Sequence, residues 1–169
     1  MMEERFLEGQ EASLQQLLLR REARVQTQQE LLTRGGSLVS FSMNIPGQRK
    51  QFPLERESFQ EGLKLLRQSF REQLLEEHVY SAVTGDEAML RLALEAEQVK
   101  AITVQLEESH PLGRLWDMDV LDGEGKSLSR TGLGYPPRRC LICGEMAKEC
   151  GRSRRHSYEE PELDTTEAT

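Results

Sequence analysis

Leu14, Leu17, Leu18, Val25 and Leu32 recur near helical spacing through a Gln-, Glu- and Arg-rich stretch that Gly35-Gly36 brings to a stop. The spacing predicts an amphipathic helix over residues 10–33, whose glutamine-rich polar face is either a docking surface or simply solvated. From Ser37 to Ile45, Leu38 and small β-compatible residues run up to Pro46-Gly47, which predicts a first strand and turn. Ser58 and Glu61 have the S-x-x-E spacing of a capping box, and Phe59, Leu63, Leu66, Phe70 and Leu74 repeat every three to four residues behind it, so a second helix is expected there.

Residues 78–83 are short, β-branched and aromatic. They predict a second strand, with Thr84-Gly85-Asp86 opening a new helix. Val99, Ile102, Thr103 and Leu106 suit a helical face that Pro111 ends, although Ile102, Val104 and Leu106 also fit a strand. Between Arg114 and Leu121 the pattern switches to period two, Asp122-Gly123-Glu124-Gly125 has the composition of a hairpin connection, and residues 126–131 would return as a strand. The order implies an α+β domain with a mostly antiparallel sheet and helices on one face, followed by a Cys/Arg-rich C-terminal segment.

Composition narrows the class. With 169 residues, 37% hydrophobic and 30% charged, the chain fits one domain with a substantial core. We place that domain at residues 1–157, with an acidic disordered tail at 158–169, where five acidic residues meet no basic one. A net charge of -7 argues against a protein that coats nucleic acid through its phosphates. No run of about 18 apolar residues occurs, and the charged start carries no secretory pattern, so the expectation is a cytoplasmic protein without membrane or nucleic-acid partners.

In Trp116-Asp117-Met118-Asp119-Val120 the two aspartates are two apart, which in a strand puts both carboxylates on one face while Trp116, Met118 and Val120 point the other way into a core. Two neighbouring carboxylates on a rigid strand can share Mg²⁺, a hard cation that keeps positions for water and substrate phosphate. That arrangement serves phosphoryl or nucleotidyl transfer. The same spacing also arises on any half-open strand, where aspartates simply face water. His110 either takes a proton from a hydroxyl nucleophile or ends a helix against backbone carbonyls. Arg114 offers a planar fork for phosphate oxygens, against the alternative of a surface ion pair. Gly113 lets backbone approach a ligand, or makes a turn before the strand.

Cys140, Cys143, Cys150 and His156 have the residue types of a Cys₃His zinc site, and the first pair has C-x₂-C spacing; ordinary buried thiols are the alternative. Seven basic residues lie between Arg130 and Arg155, a local excess in an acidic chain. Among them, Arg138, Arg139, Arg152, Arg154 and Arg155 suit a polyphosphate, on which several charge-assisted hydrogen bonds converge, or else neutralise the acidic tail.

Two blocks carry a family resemblance. His110-Pro111-Leu112-Gly113-Arg114-Leu115-Trp116-Asp117-Met118-Asp119-Val120 is one, and Pro137-Arg138-Arg139-Cys140-Leu141-Ile142-Cys143 running to Cys150-Gly151-Arg152-Ser153-Arg154-Arg155-His156 is the other. The chain resembles the apo-citrate lyase phosphoribosyl-dephospho-CoA transferases, also called citrate lyase holo-acyl-carrier-protein synthases, compatibly from about residue 10 to 157. The resemblance implies that a serine of the apo acyl-carrier subunit of citrate lyase attacks the α-phosphorus of 2′-(5″-triphosphoribosyl)-3′-dephospho-CoA and that pyrophosphate leaves. Mapped onto the reading above, Asp117 and Asp119 would hold Mg²⁺, Arg114 would contact the triphosphate, His110 would assist deprotonation, and the five C-terminal arginines would bind phosphates. A Mg²⁺-dependent nucleotidyltransferase with another acceptor, and a non-enzymatic zinc adaptor that docks through the Gln-rich helix, are the competing readings.

Overall fold

The computed structural model describes residues 10–138. Among the described residues, three helices and four strands make an α+β domain: α1 (Leu14–Leu32), β1 (Ser37–Met43), α2 (Pro53–Ser69), β2 (Leu74–Ala82), β3 (Gly85–Leu92), α3 (Ala96–Ser109) and β4 (Trp116–Leu121). Single 3₁₀ turns occupy Gly113–Leu115 and Thr131–Leu133. The sheet runs in the order β2-β3-β1-β4, and every neighbouring pair is antiparallel.

One face of the sheet holds the main core. Val39 and Phe41 of β1, Ala88, Leu90 and Leu92 of β3, and Trp116, Met118 and Val120 of β4 pack against Phe59, Leu63 and Leu66 of α2 and Val99 of α3. Phe41 stacks on Phe59 at 5.0 Å between ring centres and meets the edge of Trp116 at 6.4 Å. Each fully buried side chain of this size contributes about 1.5–3 kcal/mol relative to exposure. Gly62 makes the approach feasible: a Cβ there would lie 2.6 Å from Phe41 Cζ. The Trp116 indole N–H donates to Ser58 O at 3.0 Å and to Ser58 Oγ at 3.2 Å, so its one polar group is satisfied in the interior.

The expectation that helices cover one face only is corrected by α1, which lies on the opposite face. A smaller cluster of Leu31 and Leu32 with Leu38, Met89 and Leu121 anchors its C-terminal end. Further along, the contact is polar: Arg20 and Arg24 reach Glu87, and Gln28 Nε2 donates to Ser40 Oγ at 2.9 Å. Three of the apolar residues whose spacing predicts an amphipathic helix turn outward, with Leu14 at 66%, Leu18 at 50% and Val25 at 47% exposure, while Leu17 is half-buried and Leu32 buried. Their periodicity is real, but the arginine stems and glutamines form the inner face.

Three local readings also change. The reciprocal capping box belongs to α1, where Gln16 N–H donates to Ser13 Oγ and Ser13 N–H to Gln16 Oε1. The second helix instead starts at Pro53, a residue suited to a first helical turn, so Ser58 is interior and Leu74 already belongs to β2. Thr84-Gly85 is a hairpin turn between β2 and β3 rather than a helix start; Gly85 has φ +111°, which favours glycine. Beyond the turn at Asp122, residues 126–131 make a Leu121–Ser127 bridge, with Asp122 N–H bonded to Lys126 O and Leu128 N–H to Val120 O, instead of a full strand. Among the described residues, no helix is long and apolar enough to cross a membrane. The Cys/Arg segment from residue 139 and the tail at 158–169 lie outside the described residues.

Candidate functional site

β4 is an edge strand of the sheet, and its alternation places the aspartates as the spacing predicts. Trp116, Met118 and Val120 are buried, whereas Asp117 is exposed and Asp119 half-buried on the α1 side. Across β1, Asp117 stands opposite Ser42 and Asp119 opposite Ser40, short side chains that leave the carboxylates uncrowded. Ser127 Oγ, on the segment returning from β4, donates to Asp119 Oδ1 at 2.5 Å. Partial desolvation, then the negative charge of Glu107, pushes the Asp117 carboxyl above the usual aspartate range, with Arg138 and Lys100 acting in the other direction. Its exposure limits how far desolvation alone carries that shift.

A bound cation would reverse this, because it stabilises the ionised carboxylate. Asp117 and Asp119 offer hard oxygen donors, which fit Mg²⁺ with water and phosphate completing its shell. Among the described residues, no group of three or more His, Cys, Asp or Glu is placed to hold a metal.

Glu107 underlies this strand. Its side chain is 3% exposed, and its Oε2 accepts the Met118 N–H at 2.9 Å, between the two aspartates on the open edge. Arg130, itself buried, pairs with Glu107 and Glu108. Arg138 donates to Gly113 O at 3.0 Å and Arg114 O at 3.3 Å, with its Nη1 3.7 Å from Glu107 Oε2. Arg138, expected on phosphate, is thus turned inward and clasps its own segment to the strand edge. Arg114 is exposed on the 3₁₀ turn that leads into β4. Gly113 is needed for packing: a Cβ would stand 1.9 Å from Glu107 O, so its close approach is to the end of α3.

His110 follows α3 as its cap residue. Its Nδ1 accepts Leu112 N–H at 3.0 Å, which puts the proton of the neutral ring on Nε2, 3.7 Å from Glu61 Oε1. The ring lies 4.7 Å from that of Trp116, against the side chain that points away from the aspartate face. As placed, neither ring nitrogen offers a lone pair to a nucleophile. Arg139, Arg152, Arg154 and Arg155, and the Cys140, Cys143, Cys150 and His156 set, lie outside the described residues.

Sequence reasoning passed over four residues on or near this face. Glu107 sits four positions after Thr103 on the buried stripe of α3, where a carboxylate needs a partner. Glu87, buried in β3, is held by Arg20 and Arg24; the helix start that Thr84-Gly85-Asp86 predicts hides this strand and its alternation.

The apo-citrate lyase phosphoribosyl-dephospho-CoA transferase family profile matches residues 12–168. A protein of that name from Escherichia coli O1:K1 / APEC is 39% identical over 155 residues, covering 89% of this chain and 85% of its own. Its counterparts in Escherichia coli O9:H4 (strain HS) and Shigella boydii serotype 18 are each 40% identical over 148 residues, covering 85% of this chain and 81% of theirs.

Proposed function

The chain belongs to the apo-citrate lyase phosphoribosyl-dephospho-CoA transferase family, and from that we propose that it joins the phosphoribosyl-dephospho-CoA group to a serine of the apo acyl-carrier subunit of citrate lyase. The donor is 2′-(5″-triphosphoribosyl)-3′-dephospho-CoA. The serine oxygen bonds to the α-phosphorus, the bond from that phosphorus to the bridging oxygen of the departing diphosphate breaks, and pyrophosphate leaves. A CoA derivative as donor puts the reaction in the cytoplasm.

The observation that carries this reading is the aspartate pair, projecting from a rigid edge strand whose other face is anchored in the core. Asp117 and Asp119 would hold Mg²⁺, which when bound neutralises phosphate oxygens and orients the reacting phosphorus. Ser127 fixes one carboxylate oxygen of Asp119, and Glu107 fixes the backbone between the pair, so Asp119 is oriented and the strand is held before substrate arrives. Arg114, at the start of the same strand, supplies a charged fork beside the phosphates. His110 serves as a positioning residue that closes α3 and supports Trp116. Zinc at Cys140, Cys143, Cys150 and His156 rests on residue type alone, and phosphate binding by Arg139, Arg152, Arg154 and Arg155 on their density.

The test is to mix the protein with apo acyl-carrier subunit, donor and Mg²⁺ and to read the intact mass of the carrier. A prosthetic-group mass gain with wild type and none with Asp117→Asn supports the reading. No gain with folded wild type overturns it.

A further inference from the structure

Outside the strand that bears the aspartates, a second charged constellation lies on the same face of the sheet. Arg20 Nε donates to Glu87 Oε2 at 2.8 Å and Arg24 Nε to Glu87 Oε1 at 2.6 Å, so one carboxylate holds two guanidinium groups through their inner nitrogens. Glu87 is 5% exposed, Arg20 14% and Arg24 29%, which places the carboxylate beneath and the arginines above it. Arg20 is also stacked 3.7 Å over the Tyr80 ring, which fixes its plane.

One arginine suffices to neutralise a carboxylate, and a bidentate pair would engage at least one of its terminal nitrogens. Here each arginine bonds through Nε alone. Among the described residues, its two terminal amino groups have no hydrogen-bond partner, and the trio keeps a net positive charge. Charged donors already oriented, without an acceptor, are suited to an oxyanion, since their ordering cost has been met by folding.

Position says which oxyanion. Ser42 of β1 stands opposite Glu87 on one side and opposite Asp117 on the other. Directly opposed residues share a face, so Glu87, beneath the arginine pair, and Asp117 lie in one row two strand spacings apart, about 10 Å between backbones, with Asp119 in the next row of that face opposite Ser40. That is of the order of the span of a triphosphate.

We propose that Arg20 and Arg24, oriented by Glu87, bind the two terminal phosphates of the donor's triphosphate, the part that departs as pyrophosphate. This rests on the transferase reading of the aspartate site. It assigns the leaving group to α1 and leaves the α-phosphorus at β4. Arg138, which the sequence placed on phosphate, has its Nη2 on the backbone carbonyls of Gly113 and Arg114.

The probe is inorganic tripolyphosphate, titrated calorimetrically into the full chain with Mg²⁺ present. Arg24→Gln and Arg20→Gln are each expected to weaken binding about tenfold, the scale of one lost charge-assisted hydrogen bond. Arg24→Lys keeps an ion pair to Glu87 but removes the spare amino groups; it is expected to melt with wild type and still to lose affinity. In the transfer reaction the same variants raise the KM for donor and leave the KM for carrier unchanged. Tripolyphosphate binding by Arg24→Lys within twofold of wild type, or none by wild type, overturns the inference. Failure of the transferase reading shows separately, as absent carrier modification by wild type.

Discussion

Glu107 accepts the backbone N–H of Met118 at 2.9 Å, and so a buried carboxylate on α3 fixes the residue that separates the two aspartates. It also closes part of a sheet edge that would otherwise be open to another strand. Glu107→Ala leaves the buried Arg130 with only the exposed Glu108 as a partner and leaves that N–H unpaired. Loss of one partner of a buried pair costs about 3–5 kcal/mol, and urea unfolding is expected to show a drop of about that size, with transfer activity falling at temperatures where the variant is still folded.

Asp117→Asn and Asp119→Asn are each expected to lower the transfer rate at least about a hundredfold, the scale on which removal of a charge-stabilising group acts. Neither should lower the melting temperature by more than a few degrees, because both side chains leave the core face untouched. Carrier mass analysis gives the rate and calorimetry the melting temperature. Chelation of divalent metal by EDTA should stop wild type, and added Mg²⁺ should restore it.

Gly113→Ala tests the junction between α3 and β4. With 1.9 Å between the added Cβ and Glu107 O, the backbone has to move at the point where Glu107 supports the strand. A loss of about 2 kcal/mol or more is expected in denaturant unfolding, in the upper range of overpacking effects. Gly123→Ala, whose Cβ would meet only ordinary contact at 3.6 Å, is the control.

Glu55 of α2 and Asp86 near the start of β3 form a buried carboxyl pair, with Asp86 N–H donating to Glu55 Oε2 at 3.3 Å. Burial, then the proximity of Asp86, pushes Glu55 up to about 9. Folded Glu55 therefore keeps a proton that the unfolded chain releases above its ordinary value of about 4.3. Unfolding releases that proton between the two values, so the contribution to stability is complete below the lower one and declines as pH rises toward about 9. Urea midpoints at pH 5, 7 and 9 should fall in that order, and Glu55→Gln should flatten the trend. A wild-type midpoint that rises from pH 5 to 9 would contradict it.

The sheet's most informative strand was legible because β4 obeys a period of two with Trp116, Met118 and Val120 on one side, and burial on one face fixes such a register. α3 was legible for the same kind of reason, since Val99 and Thr103 fall on one stripe. What escaped was set by tertiary context. Gly85 takes a left-handed conformation that closes a hairpin, and nothing in Thr84-Gly85-Asp86 distinguishes this from a helix start until β2 and β3 pair. Leu14, Leu18 and Val25 have helical spacing whichever side they face, so their outward orientation emerges only from what Arg20 and Arg24 find beneath them. For the site, residue type pointed to Asp117 and Asp119, whereas the inward turn of Arg138 depends on where Glu107 and the Gly113 carbonyl lie.

α1 is fastened differently at its two ends. Leucines hold the last turn, and ion pairs with a π-stacked arginine hold the middle. Ionic strength weakens the second kind of contact and strengthens the first, through screening and through salting-out respectively. The medium therefore sets how firmly the helix sits over the sheet, and sulfate- or phosphate-rich buffers both reinforce its leucine end and compete for its arginines.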